Sequence, residues 1–156
     1  MSLLIAGLAV FLVSHSVGIV APDWRARQVE RLGERPWKLL YSAVSLAALR
    51  EKVARWRNVA HDAFLHALVT EYRPGTPIGW HRDKPEYGMV IGISLASACR
   101  MRFRPYDNQH DRGAVIALEL APRSAYVLRD DVRWRWQHGI PPAKALRYSV
   151  TFRTRA

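Results

Sequence analysis

The chain has 156 residues, room for one ordinary domain and not for several, and its hydrophobic fraction of 49% is that of a chain with a packed core. Twenty-four Lys and Arg against 13 Asp and Glu give a net charge of +11, and the single cysteine excludes an intrachain disulfide and fits a reducing compartment. Residues 1–49 hold five of the basic and three of the acidic residues, which leaves 19 and 10, a net of +9, for the rest. An excess placed there points to a polyanionic partner such as nucleic acid; solubility, or attraction to an anionic membrane face, is the plainer reading.

Residues 1–22 contain no Asp, Glu, Lys or Arg, a stretch long enough to cross a bilayer. No basic residue precedes it, so the usual start of a signal peptide is missing. Arg25, Arg27, Arg31, Arg35 and Lys38 follow it, which by the positive-inside rule predicts a cytoplasmic C-terminal side, and Trp24 sits where an interfacial aromatic would. The expectation is a cytoplasmic protein anchored through residues 1–22 to the cytoplasmic face of the inner membrane; a buried helix is the soluble alternative. A second apolar run, residues 39–49, is 11 residues long. At about 1.5 Å per residue it reaches about half of a ~30 Å hydrocarbon core. It reads as a shortened membrane helix or an amphipathic helix, and it passes directly into a charged helical stretch over residues 50–57. His61 and His66 are expected to flank a helix.

Further on, the pattern becomes that of strands. Residues 67–73 end at Pro74-Gly75-Thr76-Pro77, a strong turn signal. Strands are predicted over 78–83, 89–96, 100–104, 114–120, 125–128 and 146–153. Cys99, flanked by Ala98 and Arg100, reads as a strand residue in a packing role, and residues 106–113 around His110 read as a solvated loop. Short strands separated by turns give a mainly β fold, a sandwich or jelly roll, preceded by N-terminal α-helices.

Within this frame His81-Arg82-Asp83 stands out. In a strand, residues i and i+2 share a face, so His81 and Asp83 can grip one metal while Arg82 points away. A third ligand must come from a neighbouring strand, and His138 is placed to supply it. Two imidazoles and a carboxylate with open positions are the ligands of a non-heme Fe(II) oxygenase. A zinc site from the same three residues is the alternative, and it leaves two arginines further on without a task. Those are Arg147 and Arg153. On one strand face they stand with Ser149 and Thr151, while Tyr148, Val150 and Phe152 take the other face. A buried polar face needs partners, and a dicarboxylate between two guanidinium groups would satisfy both. The Cα atoms would be about 20 Å apart, so the side chains must lean together. A solvated edge strand is the alternative.

Residues 50–156 resemble the AlkB family of 2-oxoglutarate dioxygenases. The resemblance is carried by Tyr72-Arg73-Pro74-Gly75, Ile78-Gly79-Trp80-His81-Arg82-Asp83-Lys84-Pro85, Val90-Ile91-Gly92-Ile93-Ser94-Leu95, Met101-Arg102-Phe103-Arg104, Pro122-Arg123-Ser124, Trp136-Gln137-His138-Gly139-Ile140-Pro141-Pro142 and the run from Leu146 to Arg153, in that order. It implies a double-stranded β-helix with catalytic iron on His81, Asp83 and His138. It implies Arg147 on the distal carboxylate of 2-oxoglutarate with help from Tyr72, Arg153 near the carboxylate that chelates iron, and Ser149, like Thr70, where several relatives carry Asn. It further implies an enzyme that uses Fe(II), 2-oxoglutarate and O2 to demethylate alkylated bases of DNA or RNA taken out of the stack, and the chain is expected to be a monomer.

Residues 1–49 instead resemble the start of NnrU-type bacterial membrane proteins, through His15-Ser16-Val17, Ile19-Val20-Ala21-Pro22, Arg31-Leu32-Gly33-Glu34-Arg35, Trp37-Lys38 and Leu40-Tyr41-Ser42. The expected organisation is an NnrU-like helical segment, 1–49, joined to an AlkB-like core, 50–156, without that family's N-terminal lid. Arg100, Arg102 and Arg104 are candidates to track phosphates, and Trp80 to stack or pack. Arg133-Trp134-Arg135-Trp136 reads either as nucleic-acid binding or as a strand with indoles in the core and arginines in solvent. A dioxygenase acting on a protein or small molecule, and an inactive membrane-anchored fusion that only binds metal, are the competing readings of the whole.

Overall fold

A computed structural model of the chain describes residues 21–60, 62–106 and 115–156. The apolar run up to residue 20, the loop around His110, and His15 and His61 lie outside the described residues. The chain divides into two compact units, with the boundary in the sequence between His61 and Asp62.

The first unit contains α1 (Pro22–Leu32) and α2 (Glu34–Arg57). Proline at the start of α1 and Asp23 in its first turn suit a helix N-terminus, whose free N–H groups favour both. Gly33 separates the helices with φ +82°, which a residue without Cβ adopts at little cost. Trp24 and Trp37 pack edge-on across this corner, with ring centroids 5.9 Å apart. Glu34 pairs with Lys38 at 2.7 Å and Glu51 with Arg55 at 2.8 Å, both at helical i,i+4 spacing. The second apolar run and the charged stretch after it are thus one continuous helix, and the change of character near residue 49 falls inside it. The helix ends at Asn58 in the left-handed conformation. Among the described residues no helix is long and apolar enough to cross a membrane.

The second unit is the mainly β fold that the turns predict. Its strands are β1 (Phe64–Tyr72), β2 (Ile78–His81), β3 (Tyr87–Leu95), β4 (Cys99–Pro105), β5 (Ile116–Leu120), β6 (Ser124–Leu128), β7 (Trp136–Ile140) and β8 (Arg147–Arg155). A short helix, α3 (Asp130–Trp134), precedes β7. One antiparallel sheet has the order β1-β8-β3-β6 and the other β2-β7-β4-β5. Val90 and Leu128 of the first sheet and Cys99, Met101, Leu120 and Ile140 of the second form one buried cluster, so the sheets pack face to face as a jelly roll.

Several boundaries differ from expectation. His66 lies within β1, because Phe64 is already a buried strand residue packed on Phe152 at 5.4 Å; it flanks no helix. β8 is not a solvated edge: it lies between β1 and β3 and is buried on both faces. The Arg-Trp-Arg-Trp run is not a strand with indoles inside. Asp130–Trp134 is helical, Arg133 is 3% exposed and Trp134 43% exposed. Burial of the arginine wins because three main-chain carbonyls receive its guanidinium, as described below.

Candidate metal centre and its surroundings

His81 closes β2, and the antiparallel register of β2 with β7 sets it directly opposite His138. The two imidazole centroids are 4.3 Å apart. Asp83 follows two residues later, just beyond the end of the strand, where it still turns to the same side. One ligand atom from each of His81, Asp83 and His138 lies within 4.8 Å of the others. Among the described residues this is the only such group of three or more metal-binding side chains. The sequence-derived triad is therefore a spatial one, at the mouth between the sheets.

His81 and Asp83 are each oriented by a second contact. His81 Nδ1 lies 2.9 Å from the Gly79 carbonyl oxygen, which makes Nδ1 the donor and leaves Nε2 for a metal. Asp83 Oδ1 accepts from Arg153 Nε and Nη2, both at 3.1 Å, while Oδ2 faces His138 Nε2 at 3.7 Å. Burial, and then the neighbouring His81, hold the His138 imidazole well below its usual protonation range, so it is neutral at physiological pH, as a metal ligand must be. Two imidazoles and a carboxylate brought together in this way fit a ferrous ion with open coordination positions.

Behind the triad, Arg147 is 2% exposed and its Nε donates to Ser94 Oγ at 3.2 Å. Its guanidinium carbon lies 5.0 Å from the Tyr72 ring centroid, and Ser149 Oγ reaches Tyr72 Oη at 3.4 Å. The register explains the meeting: Tyr72 pairs with Arg147 and Thr70 with Ser149 across β1 and β8. Arg147 Nη2 is buried with no hydrogen-bond partner among the described residues. An unpartnered buried guanidinium N–H is costly, and a carboxylate is the group that fits it. The polar face read from the last strand is thus buried between the sheets, with Arg147 at one end and Arg153, on Asp83, at the other. Thr151 Oγ1 accepts from Arg153 Nη1 at 3.0 Å between them.

Three further residues at or near the site escape a reading of the sequence alone. Ser94, fully buried on β3, positions Arg147. Tyr126 of β6 projects over Gly92 of β3. Arg133 donates from Nε to the Gly88 carbonyl at 2.8 Å and from Nη2 to those of Lys84 and Tyr87, both at 2.6 Å. It ties down the segment that leaves Asp83. No local pattern gives them these places, because each acts through a partner more than 30 positions away in the chain.

On the outer face of the second sheet, Trp80 is flanked by the guanidinium groups of Arg102, 5.1 Å from its ring centroid, and Arg104, 4.5 Å from it. Arg104 Nε also donates to Gln137 Oε1 at 2.9 Å. Arg82 turns away from the metal site, as its alternation predicts, to lie 3.5 Å from the Tyr106 ring centroid and donate to the Trp134 carbonyl at 3.0 Å.

The family model of the 2OG-Fe(II) oxygenase superfamily matches residues 15–153, across the change of character near residue 49. Uncharacterized protein L905 of Acanthamoeba polyphaga mimivirus is 34% identical over 171 residues, covering 86% of this chain and 80% of that protein. The tRNA (carboxymethyluridine(34)-5-O)-methyltransferase ALKBH8 of Mus musculus is 29% identical over 100 residues, which are 63% of this chain and 14% of the mouse protein. Among solved structures, oxalate oxidase in complex with the substrate analogue glycolate superposes on 66% of this chain and 47% of that one, with a TM-score of 0.46 and 13% identity.

Proposed function

The chain belongs to the 2OG-Fe(II) oxygenase superfamily and works with Fe(II) and 2-oxoglutarate, and on that footing we propose that it removes N-alkyl groups oxidatively from bases of nucleic acid. When bound, iron and 2-oxoglutarate supply the oxidation: O2 and the keto acid are consumed, succinate and CO2 form, and the alkyl carbon leaves the base nitrogen as an aldehyde.

The chain's own residues hold and orient. His81, Asp83 and His138 would hold the iron, and three protein ligands would leave it able to take the cosubstrate. Arg147, with Tyr72 beside it, takes the distal carboxylate of 2-oxoglutarate, Ser149 borders that end, and Arg153 stands at the iron-chelating end while fixing Asp83. The observation that carries the cosubstrate assignment is the buried, unpartnered Nη2 of Arg147. For the nucleic-acid class, the support is the Trp80 indole between Arg102 and Arg104 on the sheet that bears His81 and His138, in a chain of net charge +11. Arginine flanking an aromatic face suits a phosphate backbone with an adjacent base. The mouse relative, whose name includes tRNA, supports the same class of substrate.

The test is succinate formation with added Fe(II), 2-oxoglutarate and O2, using N-methylated and unmodified oligonucleotides. The expected outcome is turnover with aldehyde release on the methylated strand alone, abolished in His81→Ala. Turnover that ignores the oligonucleotide would leave a dioxygenase with a protein or small-molecule substrate. No turnover with any substrate, or equal turnover in His81→Ala, would defeat the enzyme reading.

A further inference from the structure

The outer face of the second sheet carries a row of cations. Along β4, Cys99, Met101 and Phe103 turn toward the core between the sheets, so Arg100, Arg102 and Arg104 turn away from it. At two residues per step they recur about every 7 Å along the strand, close to the interval between successive phosphates of an extended single strand. Little neutralises the row. Glu119, opposite Arg100 on β5, is the one carboxylate on the four strands of this sheet. Arg102 Nε has no hydrogen-bond partner among the described residues, and Arg104 Nε donates to the neutral Gln137 side chain at 2.9 Å.

Trp80 joins the row from β2. β7 runs between β2 and β4, and opposite Arg102 it carries Gly139, which puts no side chain between them. A Cβ on Gly139 would come within 3.0 Å of the Ile78 carbonyl oxygen, so a larger residue there would push β2 away. The half-buried indole therefore meets both Arg102 and Arg104 across β7. The row also leads somewhere. Phe103 pairs with His138 and His138 with His81, which sets both imidazoles on one line across the sheet. Arg102 and Arg104 straddle that line on the outer face. Arg82, with its guanidinium over the Tyr106 ring, lies past it, beside Asp83.

An indole with cations on both sides can take a base face and the flanking phosphates together. A duplex hides its base faces and offers phosphates alone. We propose that this outer face is a track for single-stranded nucleic acid: Trp80 stacks on one unpaired base, Arg100, Arg102 and Arg104 hold successive phosphates, and the strand continues past Arg82 and Tyr106 to the metal centre. The track reads backbone and base faces, so it takes alkylated and unmodified strands alike. The inference deepens the reading above and rests on it for the strand's destination; binding to the track itself needs neither metal nor turnover.

The test is a fluorescence-anisotropy titration of the full chain, without Fe(II) or 2-oxoglutarate, against short unmodified oligo-dT, oligo-U and a duplex of equal length, over a series of salt concentrations. Melting temperatures are measured on the same samples. Trp80→Ala should weaken single-strand binding at least about fivefold, and Trp80→Phe, which keeps a stacking ring, by less. Arg102→Gln and Arg104→Gln, made singly, should each reduce the slope of log affinity against log salt by about 0.7, the share of one phosphate contact on a single strand. Arg129→Gln removes an equal charge from an exposed arginine paired with Asp130, outside this face, and should leave the slope as it is. Binding of either single strand with this pattern supports the track, and the tighter of the two names its source. Duplex bound as tightly as single strands, a slope lowered equally by Arg129→Gln, or Trp80→Ala binding like wild type overturns it. Where Trp80→Ala melts early, Trp80→Phe and the two arginine slopes decide in its place. Wild type that binds neither strand overturns the track and leaves the dioxygenase reading to its succinate assay; strand binding without succinate formation overturns that reading alone.

Discussion

Arg153 grips one oxygen of Asp83 through two guanidinium nitrogens, both at 3.1 Å, and leaves the other oxygen facing His138. The carboxylate is thus divided between a permanent cation and a metal position, and its rotation is fixed before any ion arrives. Both side chains are largely buried, so removal of the arginine leaves a carboxylate without its partner in a low-dielectric place. Arg153→Met should destabilise the metal-free protein by about 3 kcal/mol. Mn(II) should restore a larger part of the stability in the variant than it adds to wild type, because the ion replaces the lost positive charge. Thermal melts of both proteins with and without Mn(II) check this; an equal metal-induced gain in each would contradict it.

His138 gives the metal-free protein a pH dependence with a definite sign. Burial and the adjacent His81 lower its folded-state value from 6.5 to about 4. Below 6.5 the unfolded chain binds more protons at this position than the folded one. The stability that a neutral His138 permits is therefore fully present above that value and is lost as pH falls through the window from about 6.5 to about 4, by roughly 2–3 kcal/mol. His138→Asn should flatten the urea-unfolding free energy across this window. An unchanged slope in the variant would assign the acid sensitivity elsewhere.

The site was legible in the sequence wherever its logic is local. His81 and Asp83 announce themselves by i,i+2 spacing, and the alternation of Arg147, Ser149, Thr151 and Arg153 marks one strand face. The pairing of His81 with His138 is a matter of register between strands that are 55 or more residues apart; the sequence offers His138 as a third ligand but not the register that sets it opposite His81. Local alternation also misled: Arg133-Trp134-Arg135-Trp136 has the period of a strand but begins in a helix. Periodicity weighs polarity, and an arginine reads as solvent-facing. It cannot see the carbonyls of Lys84, Tyr87 and Gly88, which make burial of Arg133 favourable.

Those three carbonyls predict what Arg133 does. They belong to the segment between Asp83 and the core of β3, and Gly88 within it packs so closely on the Arg155 main chain that a Cβ there would collide with the Arg155 carbonyl. The clamp fixes where the chain goes on leaving the metal ligand. Arg133→Met should orphan three acceptors and lower stability by about 3 kcal/mol, while Arg133→Lys, lacking the fork, recovers less than half of that. Urea denaturation measures both. Substitution of the exposed neighbour, Trp134→Ala, should cost under about 1 kcal/mol in the same assay. The reverse ranking would restore the strand reading with the indole inside.

Gly92 and Tyr126 form a size-matched pair, and their energies should be strongly coupled. Gly92→Ala places a methyl group where the Tyr126 ring lies, and overpacking of this kind costs about 1–3 kcal/mol. Tyr126→Leu removes the ring and leaves unfilled space near Leu128 and Phe103. In the double variant the methyl group meets no ring and partly fills that space, so its cost should fall at least 1 kcal/mol below the sum of the single changes. A double-mutant cycle by chemical denaturation reads this directly. Additivity within about 0.5 kcal/mol would mean that the ring moves aside without resistance, and that its place over the glycine is not enforced by packing.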